Sequence, residues 1–345
     1  MTADQADGAG QASSSQPDLD RDAVVPKEAS TSAQPPRRAT APDGFVLVDK
    51  PIGWTSHQVV GRLRRLLGTR KIGHAGTLDP MATGLLVCGV GRATRLLSYL
   101  TQQTKTYVAQ VRFGIETTTE DADGEITAAR GAADLTLADL EAASPAWRGD
   151  IEQIPSAVSA IKVDGRRSYA LVRQGQTPTL KARPVRIEEL TWGTVTATTV
   201  DTPLAAAVPV VDAELTVVCS SGTYIRALAR DLGQGVGTGA HLIGLRRLRS
   251  GASTVDHATV GPAELIAGEP VPGLAPLPIA TVLGQILPIR RLDAELSRRV
   301  SHGQSLDLAL DGPTLLISVD NQALAVYAPA GGQARPQTVL TGGQG

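Results

Sequence analysis

Aromatic side chains are scarce: the 345-residue chain has two Phe, three Trp and five Tyr, 3% of the total. With 42% hydrophobic residues, its core must be built from Leu, Val, Ile and Ala, and each tyrosine becomes a side chain worth locating. Cysteine is nearly absent. Cys88 and Cys219 each sit in an apolar run, which excludes a disulfide framework and points to buried thiols in a reducing compartment. There is no C-x-x-C or H-x-x-x-H pair, so no metal site is expected. No apolar run approaches the ~20 residues of a membrane helix. The polar N-terminus has no signal-peptide hydrophobic region, so a soluble, cytoplasmic protein is expected.

Acid is also missing where it matters. Asp79 is the only Asp or Glu between Asp49 and Glu116, whereas Lys50, Arg62, Arg64, Arg65, Arg70 and Lys71 precede it. The net charge of −1 hides this, because residues 1–43 carry seven acids and four bases. Arg246, Arg247 and Arg249 form a second basic cluster. Such clusters suit a phosphate backbone, and they also suit a solvated helix face. Lys50, Arg62, Arg65, Arg70, Lys71, Arg246 and Arg247 are the candidate contacts to such a backbone.

What the chain does contain is Gly73-His74-Ala75-Gly76-Thr77-Leu78-Asp79-Pro80-Met81-Ala82-Thr83-Gly84. One carboxylate, one imidazole and three glycines stand in twelve residues. Asp-Pro is a common helix start, with Asp as N-cap and Pro at the first helical position. Asp79 therefore reads either as a cap or as a reactive group. The glycines allow a tight turn or a close approach to a ligand.

Along the rest of the chain, residues 1–43 are too polar to bury a core and read as a disordered tail. Phe45-Val46-Leu47-Val48 reads as a strand. Thr55 with Gln58 forms a capping box before a helix carrying Val59, Leu63, Leu66 and Leu67, which Gly68 stops. Residues 105–114 alternate as a strand, with Tyr107, Ala109, Val111 and Phe113 on one face. Residues 121–125 read as an acidic turn, lacking the spacing of a calcium loop. Thr136 with Asp139 starts a short helix. Residues 193–212 look like a hairpin loop, followed by a strand through Leu215, Val217 and Cys219. Thr223 to Leu232 reads as a helix stopped by Gly233. Residues 256–287 form a Pro- and Gly-rich linker region that packs on the main domain. Residues 315–319 and 323–327 read as two strands, with a frayed end after Ala330.

The Gly73–Gly84 string resembles the signature of the TruB family, the bacterial tRNA pseudouridine-55 synthases, in an actinobacterial-type form. Val48-Asp49-Lys50-Pro51 with Gly53, Thr55 and Ser56 agrees in order, as do Lys105-Thr106-Tyr107 and Cys219-Ser220-Ser221-Gly222-Thr223-Tyr224-Ile225-Arg226. Gly239-Ala240-His241-Leu242 with Leu245-Arg246-Arg247 extends the likeness to roughly residues 44–255. The resemblance implies an α+β pseudouridine-synthase fold. Its mixed, largely antiparallel sheet would be flanked by helices, with a small β-rich PUA-like C-terminal domain. The expected division is a tail over 1–43, a catalytic domain over 44–287 and a reduced PUA-like domain over 288–345.

The likeness further implies that Asp79 is the catalytic carboxylate and that Arg226 pairs with it. Tyr107 would stack on a target uracil, Tyr224 would touch that base and Leu245 would supply an apolar wall. His74 would help open the RNA loop. The implied partner is the T-loop of tRNA, bound by a monomer. The implied reaction isomerises uridine at position 55 and needs no cofactor. Lys162 and Tyr169 match a segment that lines the family's cleft, whereas Val158 stands where many members have tyrosine.

Two other classes of protein share part of this pattern. A non-catalytic RNA-binding protein would keep the basic clusters but need not keep Asp79, Tyr107, Tyr224 and Arg226 together. A glycoside or nucleoside hydrolase needs two working carboxylates, and the Gly73–Gly84 stretch offers one.

Overall fold

The structure is a computed structural model that describes residues 41–158, 162–163, 166–167 and 180–340. Tyr169, the side chain of Lys162 and most of the tail expected at 1–43 lie outside the described residues. Asp43, the last position of that stretch, accepts a hydrogen bond from the backbone N–H of Arg92 at 2.6 Å.

A large mixed sheet carries the fold. Its strands run in the order Gly44–Lys50, Ala82–Val90, Ala240–Ser250, Lys105–Phe113, Val208–Cys219, Arg183–Val200 and Gly149–Gln153. Ile72–His74 and Ser253–Thr254 pair at its margins. All these pairings are antiparallel except that of Ala82–Val90 with Ala240–Ser250, whose register sets Leu245 against Ala82 and Arg247 against Gly84.

Alternation decides which side chains meet the core. Tyr107, Ala109, Val111 and Phe113 are buried while Val108, Gln110 and Arg112 are not, as the two-residue period of a strand requires. Gly44–Lys50 is covered on both faces. Val46 and Val48 pack with Leu86, Leu63 and Leu228. Phe45 and Leu47 pack with Leu85, Leu315, Ile317 and Val326. The helices Ser56–Leu66 and Ile225–Gly235 contribute to the first layer. A C-terminal sheet of Ile289–Arg291, Thr314–Ile317, Ala323–Ala330 and Gln333–Val339 contributes to the second.

Several local expectations hold. Thr55 caps the Ser56–Leu66 helix in a capping box with Gln58, and Gly68 follows it in the left-handed region. Thr136 and Asp139 form a second capping box before Leu137–Ala143. Cys88 and Cys219 are buried free thiols, and burial pushes them up to about 12 and about 11. No helix of the described residues is long and apolar enough to cross a membrane.

Four expectations are corrected. No helix follows Asp79-Pro80; the chain turns at Pro80 and Met81 and enters the Ala82–Val90 strand. Backbone pairing to Gly44–Lys50 supplies the partners that a helix would have satisfied internally. The helix read as Thr223–Leu232 spans Ile225–Gly235 and passes through Gly233. A Cβ at Gly233 would stand 2.3 Å from the Ala240 backbone N, so this glycine permits close packing and does not end the helix. The loop expected over 193–212 is mostly two long paired strands, with only residues 201–207 between them. The end expected to fray after Ala330 forms the Gln333–Val339 strand, paired to Ala323–Ala330.

Candidate active site

The Asp79 segment leaves the sheet where one strand edge changes partner. Ala82–Val90 pairs with Ile72–His74 at residues 88–90 and with Ala240–Ser250 at residues 82–84. Residues 75–81 loop out of the interval between them. The loop is anchored on both sides of Asp79. The buried Ser56 hydroxyl donates to the Leu78 carbonyl at 3.0 Å and accepts from the Leu78 N–H at 2.9 Å. The Pro80 carbonyl accepts from the Gly53 N–H at 2.8 Å and from Lys50 Nζ at 3.3 Å. The Ala82 N–H donates to the Asp79 carbonyl at 3.1 Å. The capped start of the Ser56–Leu66 helix thus sets where the carboxylate stands.

Arg226 approaches from the first turn of the Ile225–Gly235 helix. Its Nε donates to Asp79 Oδ2 at 3.0 Å and lies 3.5 Å from Asp121 Oδ2. Its two terminal nitrogens donate to the carbonyls of Thr119 at 2.8 Å and Val158 at 2.7 Å. The guanidinium is therefore held at all three of its nitrogens. Its side chain is 5% exposed, whereas that of Asp79 is 40% exposed. The acid is held from behind by a buried cation and remains open at the front.

In front of Asp79 lies a cavity of about 260 Å³. Tyr107, Tyr224, Arg226, Leu245 and Arg247 line it together with Asp79. Tyr224 precedes the helix, and its peptide is gripped by the amide of Gln153. The Tyr224 N–H donates to Oε1 at 2.8 Å, and Nε2 donates to the Tyr224 carbonyl at 3.1 Å. Leu245 comes from the strand paired to Ala82 and Ala109. Burial pushes the Tyr107 phenol up, an effect the Arg247 cation partly opposes.

His74 stands apart from these residues. It closes the short Ile72–His74 strand, meets the ring of His57 edge-on at 5.8 Å between centroids, and does not line the cavity. Burial, His57 and Arg247 hold its imidazole below the usual range.

The basic residues divide. Arg65, Arg70 and Lys71 are exposed, as a phosphate-binding face requires. Arg62 is half-buried with its guanidinium 5.5 Å from the centre of the Trp54 ring. Arg246 is engaged by both carboxylate oxygens of Asp49, at 3.0 and 2.7 Å. Lys50 and Arg247 contradict the expectation of backbone contacts. Lys50 is fully buried and donates to the carbonyls of Pro51, Trp54 and Pro80; burial lowers it to about 8 despite the nearby Asp79. Arg247 is 1% exposed. Neither side chain is free to reach a phosphate at the surface.

Asp121, Gln153, Ser56 and Lys105 were missed as site residues. Asp121 lies in the segment read as an acidic turn, and its role depends on a partner 105 positions away in sequence. Lys105 enters the sequence reading as the start of a strand and as part of the Lys105-Thr106-Tyr107 segment, with no role of its own. It lines the cavity, donates to the Thr101 and Gln103 carbonyls, and is lowered to about 8 by burial and by Arg247. Among the described residues no group of three or more His, Cys, Asp or Glu is arranged to hold a metal.

Comparison with known proteins converges on one family. The family model "TruB family pseudouridylate synthase (N terminal domain)" matches residues 64–225. Proteins named tRNA pseudouridine synthase B are 47% identical in Thermobifida fusca, over 87% of this chain and 99% of the relative, and 45% identical in Arthrobacter sp., over 86% and 96%. Among solved structures, a Cbf5-Nop10-Gar1 complex contains a chain similar in fold. Its TM-score is 0.58 at 20% identity, over 87% of this chain and 85% of that one. A structure of H/ACA RNP bound to a substrate RNA containing 2′-deoxyuridine gives the same TM-score and identity, over 86% and 85%. From its sequence relatives, the chain belongs to the TruB family of pseudouridylate synthases.

Proposed function

We propose that this protein isomerises uridine to pseudouridine at position 55, in the T-loop of tRNA, with Asp79 as the reacting carboxylate. The observation that carries the reading is the Asp79–Arg226 contact of 3.0 Å at the wall of a cavity that Tyr107, Tyr224 and Leu245 also line. The names of its relatives supply the tRNA substrate.

The reaction breaks N1–C1′, with the bonding pair passing to the base. The base turns within the cavity, and C5 bonds to C1′. The C5 proton leaves and N1 takes up a proton, so no atom is gained or lost overall. No external electron or group is exchanged, and no cofactor is required. Arg226 holds Asp79 in one orientation. Tyr107 stacks on the uracil, Tyr224 and Leu245 bound the space in which it turns, and the Tyr107 phenol is the candidate for late proton transfer.

The uracil must leave the RNA stack to reach Asp79, at a cost of a few kcal/mol. Stacking on an aromatic side chain returns roughly 1–3 kcal/mol per base. His74 would stack in the place the base vacates. Arg65, Arg70 and Lys71 would hold the RNA backbone. The protein would act as a cytoplasmic monomer, with residues 288–345 as a reduced PUA-like domain.

The test incubates wild-type protein and Asp79→Asn with unmodified tRNA, and pseudouridines are mapped by nucleotide. Wild type is expected to give one pseudouridine, at position 55, while Asp79→Asn binds the same tRNA and gives none. A wild type that modifies another position, or an Asp79→Asn protein that turns over normally, would overturn the reading.

A further inference from the structure

Arg247 is the largest of the fully buried side chains. Among the described residues it has no carboxylate within ion-pair distance, although Arg112, Arg226, Arg230 and Arg246 all do. A buried charge without a counter-ion is costly. Its placement shows what offsets that cost.

The Ala82–Val90 strand has no strand partner on its inner edge between Gly84, where the Ala240–Ser250 ladder ends, and Cys88, where the Ile72–His74 ladder begins. Two buried carbonyls on that interval need donors. Val87 is served by the Ala75 N–H at 2.9 Å. Leu85 is served by Arg247 Nε at 2.7 Å. Nη2 of the same guanidinium donates to the Gly76 carbonyl at 3.1 Å. One side chain therefore joins the strand that follows the Asp79 loop to the residue near its beginning. It also stands opposite Tyr107 in the strand pairing, and both side chains line the cavity.

Glycine makes this possible. Gly84 has φ +97°, and a Cβ there would stand 2.3 Å from the Arg247 carbonyl oxygen. Only a residue without a side chain lets the two strands approach closely enough for Arg247 to reach across.

Building on the proposed pseudouridine chemistry, we propose that Arg247 is a positioning residue, tying both ends of the Asp79 loop together and seating the Tyr107 phenol so that acid and phenol keep a fixed spacing. It acts through Asp79 and Tyr107. This role differs from the backbone contact its sequence context suggests, and the two roles separate experimentally.

Full-length wild type, Arg247→Gln and Arg247→Lys are compared on unmodified tRNA for dissociation constant, thermal midpoint and single-turnover rate at saturating protein. For Arg247→Gln the expected result is tRNA affinity within about threefold of wild type and a rate lowered by about 100-fold or more in the bound complex. Arg247→Lys keeps the charge but loses the fork that spans the two carbonyls. It is expected to bind normally and to recover part of the rate, remaining about tenfold below wild type.

Weakened binding with an unchanged saturated rate would make Arg247 an RNA ligand and overturn the inference. Rates equal to wild type in both variants would do the same. If Arg247→Gln does not fold, Arg247→Lys decides alone: a normal rate overturns the proposal, and a lowered rate with intact affinity supports it. A wild type that forms no pseudouridine removes the functional reading and this inference with it. An active wild type with equally active variants removes only the inference.

Discussion

Arg226 Nε sits 3.0 Å from Asp79 Oδ2, although 147 positions separate the two residues in sequence. The guanidinium is buried and the carboxylate is not. Both terminal nitrogens of Arg226 are tied to the Thr119 and Val158 carbonyls, which fixes its approach to Asp79. Replacing it by Gln removes the charge and the fork together. The expected outcome is a fall of about 100-fold or more in single-turnover rate, measured with tRNA affinity followed in parallel. Unchanged turnover would dissociate the pair from the chemistry.

Asp121 shares that guanidinium at 3.5 Å and is itself buried. It also accepts from the Asp123 N–H at 3.2 Å and from the Thr119 hydroxyl. Asp121→Ala leaves those donors and part of the Arg226 charge unmatched, at a cost of about 1–3 kcal/mol. A denaturant midpoint equal to that of wild type would show that Asp79 alone balances Arg226.

Gln153 holds both polar atoms of the Tyr224 peptide. Gln153→Ala is expected to destabilise the protein by about 1–3 kcal/mol. It should also lower kcat/KM, because the helix carrying Arg226 starts at this point. Gln153→Glu keeps the acceptor and loses the donor, and should fall between the two. Equal stability of all three proteins would refute the clamp.

Lys50 and Lys105 are each lowered from 10.5 to about 8 by burial. Above pH 8 the folded state therefore begins to release protons that the unfolded chain keeps until about 10.5. The unfolded state binds more protons in that window, so unfolding free energy rises with pH. Cys88 and Cys219 act oppositely. Their folded thiols stay protonated to about 12 and about 11, while unfolded thiols ionise from about 9, so stability falls above that point. Denaturation curves should show stability rising from pH 8 to 9 and levelling or falling beyond. Lys50→Met should reduce the rise, and Cys88→Ala should reduce the later loss. A flat wild-type profile between pH 8 and 9 would contradict the assignment.

Arg65, Arg70 and Lys71 are exposed, whereas Arg246 is neutralised by Asp49. Alanine at each of the first three should weaken tRNA binding and reduce its salt slope by roughly one per residue. Arg246→Ala should change the slope less. A larger effect at Arg246 than at Arg65 would move the RNA face toward the Ala240–Ser250 strand.

Sequence alone determined the features whose causes are local. Alternation placed Tyr107 on the buried face of its strand, because a two-residue period needs no distant partner. Thr55 with Gln58 and Thr136 with Asp139 announced their helices, because a capping box closes within four residues. The Gly73–Gly84 string marked the loop that carries Asp79. Tertiary structure decided the features that depend on remote pairing. Asp79-Pro80 begins a helix only when no neighbouring strand claims the backbone that follows, and here Gly44–Lys50 claims it. Gly233 ends a helix by itself but serves close packing once Ala240 lies against it. Arg247 and Lys50 read as surface cations in a basic run, yet the sheet edge and the loop carbonyls draw both inside. Asp121 and Gln153 acquire their roles only where the Ile225–Gly235 helix brings Arg226 and Tyr224 to them. A buried polar group is satisfied by whatever the fold brings within hydrogen-bond reach, and chain order does not contain that neighbour.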